Sequence, residues 1–142
     1  MNRILGIDSS TKYVGWALLD DSKLTTWLTT LTHLNDNWKK VGRIFENLAA
    51  HIDLGLSDVR VIIESTYQSI NPATGMVLAR VGGWLEAIFA LEGLPVEFVT
   101  TTEAKTAATG RTKAPDGLTR AAQKEWWRAL IEKEARDRWG MG

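Results

Sequence analysis

Arg3-Ile4-Leu5-Gly6-Ile7-Asp8-Ser9-Ser10-Thr11-Lys12-Tyr13-Val14-Gly15-Trp16-Ala17-Leu18-Leu19-Asp20 reads as two short apolar strands joined by a small-residue turn, each strand ending on an acid. Ile4 to Ile7 is too short for a helix, is rich in branched residues and shows no polar alternation, which is how a strand covered on both faces reads. Such a strand belongs in the middle of a sheet. Asp8 at its tip has two readings. It is a turn residue, since Asp-Ser-Ser is good turn chemistry, or it is a functional carboxylate that needs a cation, a ligand or water to satisfy it.

The chain downstream completes an alternating pattern. Ser9 to Tyr13 is short enough for an antiparallel hairpin between the first strand and Val14–Leu19. After Asp20-Asp21-Ser22, the threonine-rich run Lys23–Leu31 reads as a third antiparallel strand at a sheet edge. Asn35-Asp36-Asn37 offers a helix cap, and Trp38, Val41, Ile44, Phe45, Leu48 and Ile52 recur at helical spacing toward Gly55. Val59–Glu64 is a second branched run ending on a carboxylate. A strand, a crossover helix and a strand make this fourth strand parallel to the first. Asn71-Pro72 starts a helix that runs to Gly93 with Gly82-Gly83 in its middle; it is apolar nearly all round, so it is expected to be buried on more than one face. Pro95–Thr100 is the fifth strand, a short helix begins at Thr101 or Thr102 and stops near Gly110, and Leu118–Trp139 has helical spacing.

Composition narrows the chemistry. The 142 residues suffice for one domain with a real core. With no cysteine, disulfides, thiolate zinc sites and a cysteine nucleophile are all excluded. The N-terminus lacks a signal-peptide pattern and no apolar run reaches membrane-spanning length, so a soluble cytoplasmic protein without a membrane partner is expected. Seventeen basic and seventeen acidic residues cancel, but Lys105, Arg111, Lys113, Arg120, Lys124 and Arg128 face only Asp116 and Glu125 within their segment. Most of the seven tryptophans are read as core and rim packing, and His33 and His51 receive no role.

The two acid-ended strands carry the chemical signal. If they are parallel neighbours, about 5 Å apart across the ladder, Asp8 and Glu64 meet at one sheet edge. Two anions at that distance shift each other's protonation unless something positive lies between them. Mg²⁺ is the natural solution, because it takes oxygen ligands, needs only one or two carboxylates and keeps its waters.

These residues, in this order, resemble the RuvC-type Holliday junction resolvases of the ribonuclease H-like superfamily. The resemblance rests on Ile4-Leu5-Gly6-Ile7-Asp8 with Gly15, on Glu64 followed by Tyr67, on Asn71, on Leu78-Ala79-Arg80-Val81-Gly82, on Leu94-Pro95-Val96, and on Lys105 with Gly110. It covers Ile4 to about Gly110 and looks like a divergent, phage-encoded member. It implies an α/β ribonuclease H-like fold: a five-stranded mixed sheet, antiparallel through strands 1-2-3 and then parallel for strands 4 and 5, with helices on both faces, forming a single nuclease domain over residues 1–142. It also implies an endonuclease that cuts four-way or otherwise branched DNA as a homodimer, the dimer forming through the helix at residues 74–91. Asp8 and Glu64 would bind catalytic Mg²⁺, for which Mn²⁺ substitutes. Tyr67 would stack on bases near the junction, and Lys105, Arg111 and Lys113 would touch phosphate. The setting is a bacterial cell or a phage-infected host.

The C-terminus departs from the family pattern, which places further acids on a final helix packed beside the first strand. Glu134 and Asp137 have the three-residue spacing that puts two side chains on one helical face, and they are the candidate third and fourth metal ligands. Arg and Lys interleave where the family is apolar, as on an ordinary solvated surface. That favours reading this helix as the one before the catalytic helix, with the final acidic element missing from the chain. The alternative function is then a RuvC-fold protein that binds junctions without cutting. An actin-like or sugar-kinase-like ATPase also opens with an apolar strand and Asp, but it needs a second phosphate motif and a much longer chain.

Overall fold

The structure, a computed structural model, describes residues 3–10, 12–21, 23–52, 59–65, 72–111 and 113–139. It contains two compact units, Met1–Val99 and Thr100–Gly142. The first holds strands β1 (Arg3–Ser9), β2 (Tyr13–Asp20) and β3 (Lys23–Thr30), helix α1 (Asn37–His51), strand β4 (Val59–Ser65), helix α2 (Pro72–Leu91) and strand β5 (Val96–Thr100), whose last residue opens the second unit. α1 ends at His51, where Ile52 is already extended, short of the expected end near Gly55.

These strands form one mixed sheet in the order β3-β2-β1-β4-β5. β1 is central, as its composition predicts, and the threonine-rich β3 is at an edge. β1 pairs antiparallel with β2, setting Leu5 opposite Leu18 and Ile7 opposite Trp16. On its other side it pairs parallel with β4, setting Leu5 beside Val61 and Ile7 beside Ile63. β5 continues the sheet parallel to β4.

Directly paired residues share a face, so these registers gather Leu5, Ile7, Val14, Trp16, Leu18, Val59, Val61 and Ile63 on one side of the sheet, where all are buried. Ile44 and Leu48 of α1, and Val81, Leu85, Ile88 and Phe89 of α2, close the same core. β1 differs from its expectation of equal cover on both faces. Leu5 and Ile7 are buried, whereas Ile4 and Gly6 are half-buried and Asp8 is exposed. Ile4 and Gly6 carry no polar mark, so alternation in burial leaves no alternation in residue type.

In α2 the core face is covered within the chain, while Met76, Ala79, Arg80, Gly83, Ala87 and Leu91 are exposed in the single chain. In α1, Ile44, Leu48 and Ile52 are buried, while Trp38 remains 73% exposed. Asp36 is the N-cap residue of that helix, yet its side chain makes no capping bond and pairs instead with Lys39 at 3.5 Å.

A polar thread ties the meander to α1. Trp16 Nε1 donates to Thr29 Oγ1 at 2.9 Å, and Thr29 Oγ1 donates to Asn47 Oδ1 at 2.6 Å, which satisfies the buried hydroxyl. Trp16 stacks on Trp27 at 5.7 Å, and Trp27 stacks on His51 at 4.4 Å. Trp27 Nε1 has no hydrogen-bond partner among the described residues, so stacking and burial hold that indole.

The second unit pairs α3 (Thr101–Thr109) with α4 (Arg120–Trp139). Thr100 caps α3 by accepting the Glu103 N–H at 3.1 Å. Gly110 ends it at φ 73°, a left-handed position that favours glycine. Thr119 caps α4 by accepting the Ala122 N–H at 3.1 Å. No described helix is long and apolar enough to cross a membrane.

Among the described residues, Phe89 is the largest fully buried side chain. Phe89→Ala should lower unfolding free energy by about 3–5 kcal/mol, measured by urea denaturation with the slope unchanged.

Candidate active site

Asp8 and Glu64 are direct partners in the parallel ladder, the last pair that β1 and β4 form. They therefore project from the same face at the carboxyl ends of adjacent strands, about 5 Å apart at the backbone. Open α/β sheets bind ligands beyond that edge. On the β2 side, Asp8 faces Gly15. A Cβ built at Gly15 would lie 3.6 Å from the Asp8 carbonyl oxygen and 3.9 Å from its Cβ. Glycine leaves that flank of the carboxylate without a side chain.

The turn after β1 is closed without the Asp8 side chain among the described residues. Ser10 does the turn chemistry: its N–H and its hydroxyl both donate to the Tyr13 carbonyl, at 2.8 and 3.0 Å, and its Oγ accepts the Tyr13 N–H at 3.1 Å. The Asp8 carboxylate has no hydrogen-bond or cation partner among the described residues. It is exposed on one side yet partly desolvated by the protein behind it. That desolvation, followed by the negative charge of Glu64, pushes its carboxyl above the ordinary range.

A divalent cation fits this donor set. Two hard oxygen donors lie side by side and solvent reaches Asp8. The anion–anion repulsion that raises Asp8 would be relieved by positive charge. Among the described residues, no group of three or more His, Cys, Asp or Glu side chains is gathered to hold a metal. Asp8 and Glu64 are thus a pair of neighbouring carboxylates.

The other sequence candidates are distributed as follows. Tyr67 lies outside the described residues. Glu134 and Asp137 are on α4 in the second unit, and each is tied to a base one turn away: Arg138 to Glu134 at 3.6 Å and Lys133 to Asp137 at 3.3 Å. Lys105 is on α3, with Arg111 and Lys113 in the stretch that follows it. Lys105 Nζ lies 5.2 Å from the centre of the Trp127 ring, and Arg111 Cζ lies 5.6 Å from that of Trp126. At exposed sites such contacts contribute about 0.5–1 kcal/mol. Sequence reading missed both tryptophans as partners of these bases; two adjacent aromatics inside the locally basic segment were the available signal.

Residues 4–121 match the family model for crossover junction endodeoxyribonuclease RuvC. Among solved structures, the chain is similar to Thermus thermophilus RuvC in complex with Holliday junction substrate, with TM-score 0.72 and 15% identity over 100% of this chain and 82% of that one. A second Thermus thermophilus RuvC structure aligns with TM-score 0.64 and 16% identity over 98% of this chain and 80% of that one. At such identities the likeness establishes the fold. No curated protein sequence matches the chain.

The raised Asp8 carboxyl sets a pH dependence for the metal-free protein. Between the ordinary Asp value and the raised one, the folded state keeps a proton that the unfolded state has lost, so stability falls as pH rises through that window. Asp8→Asn removes this effect. In EDTA, its stability relative to wild type should increase as pH rises from about 3 to 7, measured by thermal unfolding at each pH. A constant difference would show that Asp8 titrates normally.

Proposed function

The chain belongs to the crossover junction endodeoxyribonuclease RuvC family, and we propose that it is a structure-selective endonuclease that hydrolyses phosphodiester bonds in four-way or branched DNA. The observation that carries this reading is the in-register placement of two carboxylates, free of protein cations among the described residues, at the carboxyl edge of β1 and β4. The 142 residues act as one RuvC-type nuclease domain. The setting is the cytoplasm of a bacterial cell or a phage-infected host.

Asp8 and Glu64 are the residues that would hold Mg²⁺, with Mn²⁺ as a substitute, each giving carboxylate oxygen. When bound, such an ion polarises the scissile phosphate and makes a water nucleophilic near neutral pH. Asp8 must lose its proton to serve as a ligand, so its raised carboxyl sets the acid limit of activity. Gly15 keeps the approach to Asp8 clear of a side chain. Lys105, Arg111 and Lys113 supply cations for phosphate, and Tyr67 the aromatic face for a base opened at the crossover.

Cutting two strands symmetrically calls for two copies of the site, and α2 offers the surface for a homodimer. Its exposed residues Ala79, Gly83 and Ala87 repeat at four-residue spacing, so a second helix can approach closely. Glu134 and Asp137 are the candidate further ligands. Their ion pairs with Arg138 and Lys133 support the second reading, a dimeric junction binder that does not cut.

Purified protein with a labelled four-way junction and a matching linear duplex, with and without Mg²⁺, separates the readings. Paired nicks confined to the junction and dependent on Mg²⁺ are expected. Asp8→Asn and Glu64→Gln should each reduce cutting at least about a hundred-fold while leaving junction binding intact. A wild type that binds the junction tightly and never cuts would establish the binder, and one that binds junction and duplex alike would reject both.

A further inference from the structure

Five bases of the second unit have partners that differ in kind. Arg128 bridges Glu125 at 2.8 Å and Glu132 at 3.2 Å, Lys133 pairs with Asp137, and Arg138 pairs with Glu134. Lys105 and Arg111 make no ion pair among the described residues. They are held by tryptophans instead.

Trp126 and Trp127 meet edge to face, with centroids 5.0 Å apart and planes at 78°. Each indole therefore restricts the rotation of the other. Both rings are half-buried, and no described residue of α3 or α4 is fully buried. Lys105 and Arg111 rest on these rings, where the negative ring face attracts a cation. An ion pair would hold the bases equally well but would cancel their charge. An indole carries no net charge, so it orders a cation and leaves its full charge for another anion. Arg128, Lys133 and Arg138 of α4 are neutralised by carboxylates of their own helix, so they differ from Lys105 and Arg111 in the kind of partner.

We infer that Trp126 and Trp127 are positioning residues that hold Lys105 and Arg111, uncompensated and pre-ordered, for the phosphate backbone of DNA. The inference rests on the junction-processing reading and adds two residues to it. Ordering two long side chains in advance removes part of the entropy lost when DNA binds.

The test is equilibrium binding of the full chain to a fluorescent four-way junction in EDTA, repeated from 50 to 200 mM salt, as about the range over which phosphate contacts are read. Trp127→Leu and Trp126→Leu should each weaken binding about three- to ten-fold. The salt slope should fall by about 0.9 for each cation that no longer reaches phosphate. Trp127→Phe, which keeps a ring face, should restore most of both. Lys105→Met combined with Trp127→Leu should bind no worse than Lys105→Met, because the ring acts through the lysine. If Trp127→Leu fails to fold, a ring-fluorinated tryptophan at position 127 weakens the ring's negative face at unchanged shape and should shift affinity and slope in the same direction. Wild-type affinity and slope in the leucine variants, or an additive double variant, would overturn the inference and leave the junction reading standing. Failure of wild type to prefer the junction over linear duplex would overturn that reading itself.

Discussion

Parallel pairing of β1 with β4 is the constraint on which the rest of this chain depends. A parallel neighbour cannot be reached by a hairpin, so the chain needs a crossover, and α1 provides it on the face where Leu5, Ile7, Val61 and Ile63 are buried. The register of that pair has one consequence for packing and another for chemistry. It aligns the branched residues into one core face, and it brings Asp8 and Glu64 to the same rung. A slip of β4 by one residue would turn Glu64 to the other face from Asp8 and carry Val61 and Ile63 out of the core. The hydrophobic demand of the core therefore fixes the carboxylate pair.

The site stays available because other groups take over its structural duties. Ser10 closes the β1–β2 turn with its own hydroxyl and amide, so Asp8 is not used up as a turn residue. Gly15 leaves the β2 flank bare. The resulting repulsion and desolvation fall on Asp8, whose carboxyl is raised. Folding tolerates this cost, and a bound cation would relieve it. This is local strain of the electrostatic kind, set by the core around it.

Much of this was legible in the residues, for identifiable reasons. Strand order and direction follow from short branched runs and from what lies between them, and Asp8 and Glu64 end two such runs. Burial on a single side of β1 was not legible, since Ile4 and Gly6 look apolar whether or not anything covers them. The tryptophans on Lys105 and Arg111 were also missed: their pairing joins α3 to α4 across an intervening loop, and no periodicity within one helix encodes a contact between two. The Trp16–Trp27 stack was closer to hand, because the β2–β3 register places those residues opposite each other. His51 joins that stack only through the packing of α1. α3 begins at Thr101, one of the two expected starts, with Thr100 as its cap.

Residue-resolved amide relaxation by NMR during a Mn²⁺ titration reads whether the ends of β1 and β4 hold a divalent cation, as proposed. The amides of Asp8 and Glu64 should broaden first and together, excess Mg²⁺ should reverse the effect, and Asp8→Asn should abolish it. Broadening centred elsewhere, on Glu134 and Asp137 for example, with Asp8 and Glu64 unaffected, would contradict the proposal.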